Sequence, residues 1–176
     1  MTAARPVPRW AEYVAHAIPF TVLPSGLWRI ALGLGVPLGL GGEDGFPDFP
    51  HPIGTPYVFA LSIVAEFFAL LALGLVRPWG EVFPRLLPLV GGRRVPVWFA
   101  VGAASSGAAA VMAICAMAAP GWSEAMAEDG SPTGLQEAVM TLAYAPLLAW
   151  GPLLAVLTVH YYLRRRRTAR IAPATV

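Results

Sequence analysis

The feature that most limits how this chain can fold is the length of its apolar runs. One of them extends from Ile53 to Val76 and contains a single charged residue, Glu66. A bilayer span needs about 20 predominantly apolar residues, whereas an apolar stretch of about 10–14 is more typical of a buried helix in a soluble protein. Only 12% of the residues are charged, against about 25% in a soluble domain. With a mean hydropathy of +0.62, the sequence indicates an integral membrane protein built from helices.

Four runs are long enough to cross a bilayer, and they predict an all-α, polytopic bundle of four transmembrane helices. The predicted spans cover residues 10–40, 53–76, 95–119 and 135–163 of one transmembrane domain, 10–163. Residues 1–9 are predicted to be a flexible N-terminus, and residues 164–176 a basic tail.

Prolines interrupt the first and the last of these runs. Pro19 and Pro24 allow two interpretations of the first: one kinked span, or an interfacial helix over 10–22 followed by a shorter span. Pro146 and Pro152 predict a kinked fourth span. The third run repeats small residues at Gly102, Ser106 and Ala110, which predicts close packing at the centre of the bundle.

The distribution of arginine predicts the topology. All twelve basic residues are arginines; two lie in the N-terminus, four in the 77–96 connector and five in the C-terminus, while the two other loops have none. By the positive-inside rule, both termini and the connector are cytoplasmic, in a multi-pass protein of the cell membrane. Topology therefore explains the basic clusters, and we expect no nucleic-acid partner. The only cysteine, Cys115, excludes an intrachain disulfide.

Two opposite charges lie inside the predicted spans. With Leu40 and Thr55 taken as the outer ends of the two spans, Arg29 and Glu66 each lie eleven residues in, about 16 Å deep at 1.5 Å per residue. Charged side chains at this depth usually face the protein interior and have a partner. We predict an intramembrane charge pair between Arg29 and Glu66, with Ser62, one helical turn away, adding a hydrogen bond. The pair either locks two helices in register or binds a proton or a cationic ligand.

Two histidines lie at similar depths near the inner ends of the first and fourth spans. We expect no cofactor, and the two histidines are expected to be interfacial and to face lipid headgroups. The alternative is that His16 and His160 hold a haem iron between them.

Two loops carry further charge. Glu43, Asp44, Asp48 and His51 match no metal-binding spacing and are expected to be solvated, so no metal site is predicted. The connector arginines are expected to contact anionic lipid headgroups or a protein partner; they are Arg77, Arg85, Arg93 and Arg94.

Three segments resemble a family of small four-span integral membrane proteins of high-GC actinobacteria. They are LPSGLWRIALGLG at 23–35, the serine and glutamate of LSIVAEF at 61–67, and LVRPWGEVFPRLLPLVGGRRVP at 75–96. The resemblance implies the four-span architecture; it implies no reaction, substrate or cofactor.

Three functions remain open from the sequence. The chain has no Walker loop, GxSxG or HExxH motif, so hydrolytic enzymes lack their usual residues. The favoured function is a non-enzymatic accessory or structural subunit that acts through helix contacts and its basic connector, beside a protein partner or as a homodimer. The alternatives are a small permease or ion-coupled carrier that uses Arg29 and Glu66, and a haem- or quinone-binding redox subunit.

Overall fold

A computed structural model describes residues 7–39, 49–82, 92–127 and 132–171, and most of them are helical. The helices are α1 (Arg9–Gly33), α2 (Gly54–Leu71), α3 (Val97–Ala127), α4 (Leu135–Tyr144) and α5 (Leu147–Ile171). A 3₁₀ turn, Ala72–Leu75, continues α2, and a second one covers Pro78–Glu81. The described residues form no strand beyond an isolated bridge between Val82 and Arg94. The predicted all-α fold is confirmed.

Within the described residues, three helical stretches are long and apolar enough to cross a membrane. They are Gly54–Leu75, Val97–Trp122 and Leu135–Arg167, which lie within or overlap three of the four predicted spans. Helix α1 has 25 residues and sufficient length, but Glu12, Arg29, two prolines and several small polar residues lower its hydropathy. The composition of a membrane protein is thus confirmed, although α1 is not among the stretches that qualify by length and hydropathy.

Helix α1 occupies the middle of the bundle. It packs against α2, α4 and α5, and Ala11, Ala15, Ile18 and Val22 are completely buried along one stripe. The spacing of four, three and four residues is that of one helix face. The main core cluster joins this stripe to the end of α2 and to α5. Helix α1, which carries the buried Arg29, is therefore covered by its neighbours.

One continuous helix spans both prolines of the first run. Helix α1 includes Pro19 and Pro24 without a break, and the hydroxyls of Thr21 and Ser25 bond to carbonyls one turn earlier, at 2.7 and 2.8 Å. The split segment is therefore not formed. The helix ends at Gly33, well before residue 40, because the chain turns at Gly35, whose φ of +86° suits a residue without a side chain.

The prediction that the third span packs at the centre of the bundle is wrong. Helix α3 packs chiefly against α5. Only 6% of an 18-residue apolar stretch within it is buried. Gly102, Ser106 and Ala110, the repeat that motivated the prediction, are exposed. The sheltered face carries Val101, Ala104 and Ala108 instead. Both faces of α3 are rich in small residues, so the pattern could not indicate which one meets α5.

The fourth apolar run forms two helices, α4 and α5, with one break between them. Helix α4 ends at Tyr144, a turn at Ala145 and Pro146 follows, and α5 continues unbroken through Pro152. The predicted disturbance at Pro146 is confirmed as a break between two helices, while Pro152 lies inside a continuous helix.

Candidate functional site

Arg29 is buried where three helices meet. It projects from α1 with 8% of its surface exposed, and its Nε donates a hydrogen bond to Ser62 Oγ of α2 at 3.1 Å. Ser62 in turn donates to the carbonyl oxygen of Val58 at 2.7 Å. Because the serine proton is committed to this carbonyl, its lone pairs are free to accept from the guanidinium. The third side is the ring of Tyr144 in α4, whose centroid lies 5.7 Å from Arg29 Cζ.

Two tryptophans pack against the Tyr144 ring that meets the guanidinium. Trp28 meets Tyr144 edge to face at 5.5 Å between centroids, and Trp122 lies 5.8 Å from the same ring. A guanidinium over an aromatic face is stabilised by the ring quadrupole, most strongly when water is excluded. Sequence reasoning missed Tyr144, because a tyrosine inside an apolar run carries no sign of the helix that it will meet.

Glu66 does not share the environment of Arg29. It is half-buried and forms no hydrogen bond or ion pair with any residue that the structure describes. The structure thus brings Arg29 and Ser62 together but does not bring Glu66 into that contact. A direct Arg29–Glu66 pair stays a prediction.

Glu66 instead lines a groove between α1 and α2. The groove has a volume of about 400 Å³, and Glu66 is the only charged residue along it. Ser62 lies in the same groove, one turn before Glu66, and therefore separates it from Arg29. The other lining residues are Leu23, Gly26, Leu27, Ile30, Ile63, Phe67 and Leu70.

The two histidines have separate surroundings. His16 is exposed, and its Nδ1 lies 2.7 Å from the carbonyl oxygen of Glu12 in its own helix. His160 packs edge-on against Trp10, with 4.8 Å between ring centroids. No hydrogen bond or ring contact joins the two imidazoles within the described segments, and a haem between them stays a prediction.

At the N-terminal end of α2, His51 has a structural role. Its Nδ1 accepts the backbone N–H of Gly54 at 3.0 Å and that of Ile53 at 3.3 Å, and so satisfies donors at the start of the helix. Glu43, Asp44 and Asp48 lie outside the described residues. Within the described part of the chain, no group of three or more His, Cys, Asp or Glu side chains could hold a metal ion.

At the arginine-rich end, α5 is tied to the connector that follows α2. Glu81 accepts from Arg165 at 3.2 Å and from Arg164 at 3.5 Å, and Arg164 also donates to the carbonyl oxygen of Leu75 at 3.3 Å. The sequence singled out the arginines and gave no role to Glu81.

Of the predicted lipid- or partner-contacting residues, Arg77, Arg93 and Arg94 are exposed; Arg85 lies outside the described residues.

No external likeness adds to this geometry. Comparisons with protein-family models, with curated proteins and with solved structures give no match to this chain. The function of the chain is therefore inferred from the packing of its helices, the buried Arg29–Ser62 contact and the groove that contains Glu66.

Proposed function

We propose that this chain is a non-enzymatic accessory subunit of a membrane assembly and that it acts through helix contacts. The observation that supports it is the position of α3, which is attached to the bundle by one face only. The opposite face is exposed and lined by small residues at helical spacing, namely Gly102, Ser106, Ala109, Ala113 and Ala116.

This small-residue face of α3 is suited to the approach of another helix. A side-chain carbon added at Gly102 would have no neighbour within 4 Å, so the backbone itself is open to contact. In lipid, helices gain little from the hydrophobic effect and associate where small residues let their backbones come close. Bulky residues cover lipid-facing surfaces equally well, so this stripe of small residues, although Trp98, Ile114 and Met117 are exposed elsewhere on α3, favours a transmembrane helix of another membrane protein as its occupant.

The topology that we propose has four spans and a cytoplasmic location for both termini. Helix α1 would be about 37 Å long at 1.5 Å per residue, which exceeds the ~30 Å of a hydrocarbon core. Its lower hydropathy is compatible with crossing, because α2, α4 and α5 surround it. The connector and the C-terminal arginines then face the cytoplasm, beside anionic lipid headgroups or a soluble part of the protein partner. The actinobacterial resemblance agrees with this architecture.

A second candidate, a small permease or ion-coupled carrier, is favoured by the groove that contains Glu66. Transporter sites lie near the bilayer midplane and use helix-borne polar groups, and the adjacent Ser62–Arg29 contact supplies two more. A bundle of this size would need a second copy to enclose a pathway. No contact in the described residues favours the haem or quinone alternative.

Site-specific crosslinking from α3 tests the accessory function. In a Cys115→Ala background, a photoreactive group attached at Ser106→Cys should yield one defined adduct in native membranes, whereas the same group at Val64→Cys on the outer face of α2 should not. The adduct is identified by mass spectrometry, and it should disappear when Ala109→Leu and Ala113→Leu are added.

The outcomes separate the alternatives. An adduct with a different membrane protein that depends on the small-residue face supports the proposal. An adduct of two copies of this chain would replace it with a homodimer. Equal, diffuse labelling from both positions would contradict any use of α3 for helix contact.

A further inference from the structure

The groove between α1 and α2 has the character of a ligand site, on a different part of the molecule from the α3 face. We infer that it binds a monovalent organic cation with an apolar body, an amphiphilic amine or ammonium compound, with the Glu66 carboxylate as counter-ion. This inference goes beyond the proposed function, because it concerns α1 and α2 and requires no contact of α3.

The lining specifies the body of the ligand. Leu23, Leu27 and Ile30 form one wall and Ile63, Phe67 and Leu70 the other. A volume of about 400 Å³ lies within the range of about 300–1,000 Å³ that is typical of small-molecule sites, which are mostly apolar with a few polar groups. Such walls accept hydrocarbon chains or rings and offer nothing to a strongly hydrated ion.

The floor of the groove is shaped by two small residues. Gly26 has no side chain, and the only atom near a carbon added there would be Ser62 Cβ, at 3.9 Å. Gly26 is itself buried, so the absence of a side chain lets α1 lie close to Ser62 at this point. The Ser62 hydroxyl is already engaged by Arg29 and by the Val58 carbonyl, so Glu66 is the polar group left to act on the ligand.

The charge specifies the head of the ligand. Glu66 has no hydrogen-bond or ion-pair partner in the described part of the chain, and the nearest interior cation, Arg29, is held by Ser62 and Tyr144. An acidic side chain in hydrocarbon pairs with an opposite charge or is neutralised by a proton. A neutral lipid chain would leave the carboxylate uncompensated, and an anion would be repelled by it.

A diffuse organic cation fits better than a metal ion. One carboxylate offers too few ligands for a divalent ion, which takes six or more oxygens in the case of Ca²⁺, and no metal-ligand cluster occurs within the described segments. The ring of Phe67, which lines the groove, can add cation–π attraction for an ammonium group.

Binding of a single-chain alkylammonium compound provides the first test. The full-length protein is placed in nanodiscs of zwitterionic lipid and titrated with decyltrimethylammonium, with decanol as the uncharged analogue. Glu66→Gln should weaken binding of the cation by about ten- to a hundredfold and leave binding of decanol unchanged. Glu137→Gln, which removes an exposed carboxylate of α4, is the matched control and should bind the cation as the wild type does.

Two further binding measurements test the same inference. Binding of the cation should weaken as the pH falls, because protons compete for the carboxylate. Leu27→Trp, which narrows the groove and keeps Glu66, should also reduce it. If Glu66→Gln binds the cation as the wild type does, or if Glu137→Gln weakens it equally, the inference is wrong.

Protection from a hydrophobic carbodiimide tests the same site without any substitution. The reagent enters from lipid and modifies carboxyl groups in the bilayer, and peptide mass spectrometry reports the extent at Glu66. Decyltrimethylammonium should slow modification of Glu66 in the purified wild-type protein, and decanol should not. If the cation gives no protection, the inference is overturned. If Glu66 is protected in native membranes only, without added cation, the groove holds a basic residue of another membrane protein instead.

Discussion

At the scale of single residues, Arg29 holds its charge inside the bundle with two modest acceptors, a hydroxyl oxygen and an aromatic ring. Insertion of an arginine at the centre of a bilayer costs about 2.5–3.5 kcal/mol on translocon scales, and these contacts offset part of that cost. The depth of Arg29 and its need for a partner were predictable from its place in an apolar run. The identity of the partner was not predictable, because Ser62 and Glu66 occupy one face of α2, a turn apart. The rotation of α1 about its axis decides which of the two the Arg29 side chain contacts.

A double-mutant cycle distinguishes the observed contact from the predicted pair. Arg29→Gln combined with Ser62→Ala should show a coupling free energy of about 0.6–1.7 kcal/mol, the range measured for hydrogen bonds between membrane helices. Arg29→Gln combined with Glu66→Gln should be additive to within about 0.5 kcal/mol. The free energy of unfolding in mixed micelles is the measurement.

The control for this cycle is Ser106→Ala, since Ser106 is exposed and bonds only to a carbonyl of its own helix at 3.0 Å. It should be additive with Arg29→Gln. Strong coupling between Arg29 and Glu66, with none between Arg29 and Ser62, would restore the direct charge pair.

At the scale of helices, the apolar runs predicted where α2 and α3 lie to within a few residues, because length and hydropathy decide membrane helices almost alone. The runs could not predict which helix would be central. Helix α3 looked central from its small residues, yet α1, with more polar residues, takes that place. The reason is physical: the buried Arg29 of α1 requires cover from lipid, whereas Ser106 of α3 bonds to a carbonyl of its own helix.

The contact of α5 with α3 depends on a glycine. A side-chain carbon at Gly151 would lie 2.5 Å from Met112 Cγ and 3.3 Å from the carbonyl oxygen of Ala108, so Gly151→Val should destabilise the protein by about 1–3 kcal/mol through overpacking. Gly102→Val places the same side chain on the open face of α3 and should change stability by about 0.5 kcal/mol or less. Thermal unfolding of both variants in detergent gives the comparison; equal losses would mean that α3 does not pack on α5 in the membrane.

At the scale of the whole molecule, the bundle has one side built from α1 and α2, with the groove, and another formed by α3 on α5. The charged residues are concentrated at one end of the bundle, where the exposed arginines of the connector and the Glu81 contacts with α5 lie together. The sequence predicted this concentration of arginine. It did not predict the link to Glu81, which joins residues 83 and 84 positions apart.

The proposed orientation can be measured with single cysteines. In the Cys115→Ala background, Arg93→Cys should react with a membrane-impermeant maleimide only after the cytoplasmic side is opened. Thr133→Cys, exposed before α4, should react in intact cells, because it lies at the opposite end of the bundle from the arginines. Reaction of both positions from the same side would exclude the four-span topology.

The enclosed position of α1 also bears on how the protein is made. A chain is synthesised from its N-terminus, so α1 is made before α2, α4 and α5, the helices that cover it. Until α4 follows, Arg29 lacks the ring of Tyr144. We therefore expect a product truncated before α4 to leave the arginine incompletely covered.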